Sequence, residues 1–211
     1  YPHVDDVLPL MAQFSEHGYG VLPYLDIPLQ HAHPYVLKRM KRPASGEKNL
    51  ERILSWRKAC PDLVIRSTFI AGFPGETDAD FEKLLKMVRE LHFDNSFCFI
   101  FSPRPGTPAA NLSDTTPYEV KLKRLQTLLA LVEEQANQIS QKMLGNIETV
   151  LVEGLAKDGV NLQGRAENNR VVHFAAPSDE IESLTGQMVD IQITEVLNYT
   201  LRGEMVEAHA S

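Results

Sequence analysis

Two hydrophobic periods divide the chain. Up to about Gly145, apolar residues fall in short continuous runs or at three- and four-residue spacings, and beyond it they alternate with polar ones. Residues 21–30 (VLPYLDIPLQ), 63–73 (LVIRSTFIAGF) and 95–102 (NSFCFIFS) read as strands. Between them PYVLKRM, GEKNLERILSWRKAC and DADFEKLLKMVREL read as helices, the last with Phe81, Leu84, Leu85, Val88 and Leu91 on one stripe. Thr77, three residues before Asp80, makes a near capping box. Thr116 followed by Pro117 and Glu119 makes a fuller one, opening a helix that runs to about Leu144 and stops at Gly145. Strands alternating with covering helices predict an α/β unit, a parallel sheet or barrel, over residues 1–145.

After Gly145, ETVLVEG, NLQGRAENNRVVHFA, GQMVDIQITEVL and TLRGEMVE predict four or five short strands joined by turn-formers, a small all-β barrel or sandwich over residues 146–208. A unit of that size has no room for a deep catalytic cleft, so binding is its expected role.

Composition sharpens this picture in three places. The net charge of −7 argues against broad nonspecific nucleic-acid binding. It is uneven: 11 acidic against 4 basic residues follow Gly145, leaving residues 1–145 neutral. No run approaches the roughly 18–20 apolar residues needed to cross a bilayer, and the first residues lack a signal-peptide pattern, so a cytoplasmic protein without a membrane partner is expected. The chain begins at Tyr1, already leading into a helix, so a natural start upstream is expected. Cys60 and Cys98 are the only cysteines, without CxxC or CxxxCxxC, so two inert thiols and no metal or cluster site are expected. His31 and His33 form an H-x-H with no third ligand, more consistent with a turn or helix start.

The most informative string is RSTFIAGFPGETDADF, residues 66–81, where a strand runs through Gly72 and Gly75 into a capped helix. Glycines after a barrel strand let backbone approach a ligand, although a tight strand-to-helix turn selects the same residues. With LPYLDIPLQH one unit earlier and SPRPGTPAANL one unit later, the chain resembles the radical S-adenosylmethionine methylthiotransferases along essentially its whole length. The resemblance implies the later half of a partial (βα) barrel followed by a small OB-like TRAM barrel.

It also implies S-adenosylmethionine and [4Fe-4S] clusters as cofactors, with the cluster ligands upstream of Tyr1. The chain alone would then hold no catalytic residue and be inactive. Gln30, His31, Arg66, Gly72, Gly75 and Glu76 are the cofactor-binding candidates the resemblance implies; an Arg in the middle of an otherwise apolar strand needs a partner, either a ligand carboxylate or an internal salt bridge. In the small domain Arg165, Asn168, Asn169, Arg170 and Arg202 are the RNA-binding candidates, gathered on one edge if the GRAENN and LRG turns lie side by side. The alternative is solvated surface arginines.

The opening part, through RSTFI, looks more like the branch acting on an aspartate of a small-subunit ribosomal protein. From about Phe93 onward, FDNSFCFIFSPRPGTPAANL, GRAENNRVV and LRG look like the branch acting on isopentenyl-adenosine beside the tRNA anticodon. The expected substrate is therefore tRNA, with the ribosomal protein as second choice; an intermediate subfamily or a joined sequence would both give the mixture. A non-catalytic RNA-binding module is the alternative of another class. Reductant and sulfur donor are not legible.

Overall fold

The computed structural model describes residues 3–16, 20–42, 46–177 and 179–206. The chain divides into two compact units, Tyr1–Ala136 and Asn137–Ser211. The boundary expected at residue 208, and the glutamate at 207 closing the last expected strand, lie outside the described residues.

The first unit runs α1 (Val4–Glu16), β1 (Tyr24–Gln30), α2 (Pro34–Arg39), α3 (Gly46–Ala59), β2 (Val64–Ala71), α4 (Asp78–Leu91), β3 (Asn95–Ile100), a 3-10 turn (Pro108–Asn111) and α5 (Tyr118–Gln141), which crosses the division. Its three strands form one parallel sheet in the order β1-β2-β3. β2 shows why: Ile65, Ser67, Phe69 and Ala71 are buried, while Val64, Arg66, Thr68 and Ile70 turn to the other, more open face. The buried face packs against the α4 stripe of Phe81, Leu84, Leu85, Val88 and Leu91, with Phe69 and Phe93 in edge contact at 5.3 Å. Each such fully buried side chain is worth about 1.5–3 kcal/mol over its exposed state.

Thr77 and Asp80 close a complete capping box at the start of α4. Burial raises the Asp80 carboxyl, but hydrogen bonds from the Thr77 backbone and hydroxyl, with His33 and His31 nearby, hold it below its usual range. At its other end α4 stops on His92 in the left-handed conformation. There Gln135 of α5 donates to the Val88 carbonyl at 3.0 Å, which also accepts the His92 N–H, and reaches the Arg89 carbonyl, among the last of the helix, at 3.4 Å.

The second unit is a closed five-stranded barrel of β4 (Ile147–Leu155), β5 (Leu162–Ala166), β6 (Val171–Phe174), β7 (Met188–Val196) and β8 (Thr200–Met205), ordered β4-β5-β6-β8-β7. Only β6 and β8 pair in parallel. Gly145, with φ +84°, precedes β4. Val150, Val152, Leu162, Val172, Phe174, Ile191, Ile193 and Leu201 point inward and form the core. The period-2 stretch thus folds as expected, with one correction. LRG is the interior of β8 and not a turn, because Leu201 and Gly203 face inward and Arg202 outward.

Candidate functional site

The three parallel strands end together at Gln30, Ala71 and Ile100, and beyond these ends lies a cavity of about 680 Å³. Thr68 and Ile70 of β2, with Phe99 and Phe101 from β3 and its exit, supply lining from the open face of the sheet. Phe73 packs edge-on against Phe101 at 4.8 Å. Four bases, Arg39, Lys41, Arg42 and Arg104, also line the cavity, and none of its lining residues is acidic. The carboxyl ends of parallel strands are where ligand sites of such sheets are built, and this volume suits a small-molecule cofactor.

Of the six residues singled out for cofactor binding, Gln30 lines this cavity. Its backbone is left-handed, φ 70°, and its Oε1 is buried with no hydrogen-bond partner, an acceptor that fits a ligand N–H.

His31, Gly72, Gly75 and Glu76 form a scaffold at the ends of the same strands. Glu76 is fully buried through its side chain. Its Oε2 lies 3.1 Å from His31 Nε2, its Oε1 accepts from Arg124 Nη1 at 2.8 Å, and the Gly72 N–H donates to both oxygens. His31 Nδ1 accepts the His33 N–H at 3.0 Å, so Nε2 carries the proton that faces Glu76. Gly72, at φ +71°, sits where a Cβ would meet the Lys121 stem at 2.6 Å; Gly75, at φ +81°, would meet the Arg39 guanidinium at 3.3 Å. The left-handed backbone accounts for both glycines, and at Gly72 the close approach of the Lys121 stem adds to it.

Arg66 lies near the start of β2, as the third residue of an eight-residue strand, and is absent from the cavity lining. It donates to Asp26 Oδ2 of β1, with Nε at 2.9 Å, and its guanidinium stands 5.0 Å from the Phe97 ring. The Asp26 hydrogen bonds raise its pKa above the usual arginine value against the opposing effect of burial. Of the two readings of Arg66, the internal salt bridge is the one this geometry contains.

Neither cysteine lines the cavity: Cys60 is in the core, and Cys98 packs against it from β3. Burial, then Glu133, pushes the Cys98 thiol up to about 12, the opposite of what a thiolate ligand needs. Among the described residues no group of three or more His, Cys, Asp or Glu is placed to hold a metal. His33, expected at a helix start, is the N-cap residue of α2, and its Nδ1 lies 2.9 Å from Asp80 Oδ1.

In the barrel, residues 167–169 make a three-residue hairpin turn between β5 and β6, closed by Ala166 N–H to the Arg170 carbonyl, with Asn169 left-handed at φ 64°. Asn168 accepts the Arg170 N–H and donates to Met143 Sδ. Arg165 pairs with Glu153 at 2.9 Å and donates to Asn169 Oδ1; Arg170 donates to Ser140 Oγ. These four residues lie together at the hairpin. Arg202 is not beside them: β6 lies between β5 and β8, and Arg202 registers with His173 and pairs with Glu195 at 2.6 Å. It shares the outer face with Arg165 only across that intervening strand.

The cavity bases and Arg124 are functional residues that no motif in the sequence singles out. The run KRMKR carried a signal for Arg39, Lys41 and Arg42; nothing local marked Arg124.

The Radical SAM superfamily pattern matches residues 4–88 and the TRAM domain pattern residues 141–206. The tRNA-2-methylthio-N(6)-dimethylallyladenosine synthase of Polynucleobacter necessarius is 71% identical over 189 residues, 90% of this chain and 42% of that protein. That of Acidovorax sp. is 49% identical over 205 residues, 97% of this chain and 45% of that protein. The ribosomal protein uS12 methylthiotransferase RimO of Polynucleobacter asymbioticus is 60% identical over 159 residues, 75% of this chain and 35% of that protein. The chain spans less than half the length of these relatives. With a radical SAM segment and a TRAM domain in this order, and identity of this extent to two kinds of methylthiotransferase, the chain belongs to the radical S-adenosylmethionine methylthiotransferase family.

Proposed function

We propose that this chain is the later barrel half and TRAM domain of an enzyme that methylthiolates isopentenyl-adenosine beside the tRNA anticodon, working in the cytoplasm. The observation that carries the reading is the 71% identity across 90% of the chain to a relative named for that tRNA nucleoside, against 60% across 75% for the ribosomal-protein enzyme. Among the described residues no helix is long and apolar enough to cross a membrane.

The cavity at the strand ends is the proposed seat of S-adenosylmethionine, and the unpartnered Gln30 Oε1 supports this, since it offers an acceptor to a cofactor N–H. When bound, S-adenosylmethionine and iron-sulfur clusters supply the radical that removes hydrogen from the substrate and the sulfur and methyl that replace it. This chain's own residues bind and orient. Gln30 contacts ligand, while His31, Gly72, Gly75, Glu76 and Arg124 hold the strand ends in place. The cluster ligands come from outside this chain, because Cys60 and Cys98 are packed into or against the core. The hairpin Arg165, Asn168, Asn169 and Arg170, with Arg202 across β6, is the proposed RNA-facing surface of the TRAM domain; its ion pairs with Glu153 and Glu195 exchange for phosphate when RNA docks.

A second reading, modification of an aspartate in ribosomal protein uS12, rests on the 60% match. The test is to express the complete protein containing this chain in cells lacking both enzymes and to analyse tRNA nucleosides and the ribosomal protein by mass spectrometry. A methylthio group on the tRNA adenosine is expected. Its appearance on the ribosomal protein alone would overturn the tRNA assignment.

A further inference from the structure

Four cations gather around one cavity in a unit, Tyr1–Ala136, whose 16 basic and 17 acidic residues nearly cancel, and they call for an anion larger than the cofactor. S-adenosylmethionine brings one carboxylate, but also an ammonium and a sulfonium, so its net charge is positive. Its single carboxylate is one anion for four bases that have no acid beside them in the cavity lining. The placement of the bases is equally telling. Arg39, Lys41 and Arg42 come from α2 and the residues after it, downstream of β1; Arg104 comes from the segment after β3. Since β1 and β3 are the two outer strands of the sheet, the bases reach the cavity from segments that follow opposite edges of the sheet, and the aromatic Phe99 and Phe101 line it with them. Lys41 and Arg104 are exposed, where incoming phosphate reaches them.

Resting on the tRNA reading above, we propose that this basic rim grips the RNA backbone phosphates on either side of the nucleotide whose base enters the cavity. The barrel half thereby contributes its own share of RNA affinity, independent of the TRAM arginines. A ribosomal protein, itself shaped to bind RNA through basic surface, is the wrong charge for such a rim.

The probe is an anticodon stem-loop RNA, titrated into this chain by fluorescence anisotropy over a range of salt. Lys41→Gln and Arg104→Gln each remove one charge from an exposed position, and Lys58→Gln, exposed on α3 away from the cavity, is the control. Each rim substitution should flatten the log–log salt slope by about 0.7–0.9 and weaken binding about fivefold near physiological salt, with the melting curve unchanged. The control should do neither. If the chain binds the RNA and the rim variants match the parent, or if Lys58→Gln weakens binding as much as they do, the rim proposal falls while the tRNA reading stands. If the parent binds the ribosomal protein and not the RNA, both fall.

Discussion

Both oxygens of Glu76 are held by groups from three separate segments: His31 after β1, the Gly72 N–H after β2 and Arg124 on α5. Arg124 is itself buried, 7% exposed, and its Nη2 reaches Asp78 at 2.6 Å. Deleting the carboxylate leaves a guanidinium buried without its main counter-charge, a loss of about 3–5 kcal/mol for a buried pair broken on one side. Glu76→Ala should therefore reduce the unfolding free energy of the first unit by that amount, read as a lower urea midpoint, and Glu76→Gln, which keeps an acceptor for Arg124, should reduce it by clearly less. Equal midpoints for parent and Ala variant would show that the pair is not the clamp described. The glutamate was legible in GFPGET as a polar residue of the loop; its partner 48 residues away was not, because charge pairing through the core leaves no local spacing in the chain.

At the scale of elements, two glycines account for how the small barrel closes. Gly164 on β5 and Gly203 on β8 both face inward with ordinary backbone angles. A Cβ on Gly164 would lie 2.4 Å from the Leu151 carbonyl oxygen, and one on Gly203 2.4 Å from Ile191 Cγ2 and 2.5 Å from the Gln192 carbonyl oxygen. The neighbouring strands approach so closely there that no side chain fits. Gly203→Ala should cost at least the roughly 1–3 kcal/mol typical of overpacking, read as a lower thermal midpoint of the second unit, while the outward Glu204→Ala next to it should be nearly silent. Equal melts for the two variants would refute the close-approach account. Both glycines stood in the motifs that pointed to RNA, GRAENN and LRG, where the arginines drew attention. The structure assigns the glycines to closure and the arginines to the surface.

For the molecule as a whole, the three-stranded sheet has consequences for behaviour in solution. Among the described residues β1 and β3 each have one strand neighbour, and Phe97 and Phe99, 46% and 53% exposed, stack on the open face of β3 with centroids 6.5 Å apart. Unpaired strand edges beside exposed aromatic surface favour association. Sedimentation velocity should show concentration-dependent association, reduced by Phe97→Lys and Phe99→Lys together. A monomer at all concentrations would mean that the face is protected in a way the strand pairing does not show.

The periods of the chain by themselves determined the elements. The switch from spacing 3.6 to spacing 2 after Gly145 separates helices and buried strands from alternating ones, and the capping box at Thr77 sets the start of α4 to the residue. These features are local, because backbone hydrogen bonding and face burial act within a few neighbouring residues. Tertiary structure alone decided which side chains serve the cavity. Gln30, Thr68, Phe99 and Arg104 come from four places in the chain and meet because three strands end at one level. It also decided what Arg66 does: an arginine in an apolar strand demands a partner, and only the parallel pairing of β1 with β2 sets Asp26 directly opposite it.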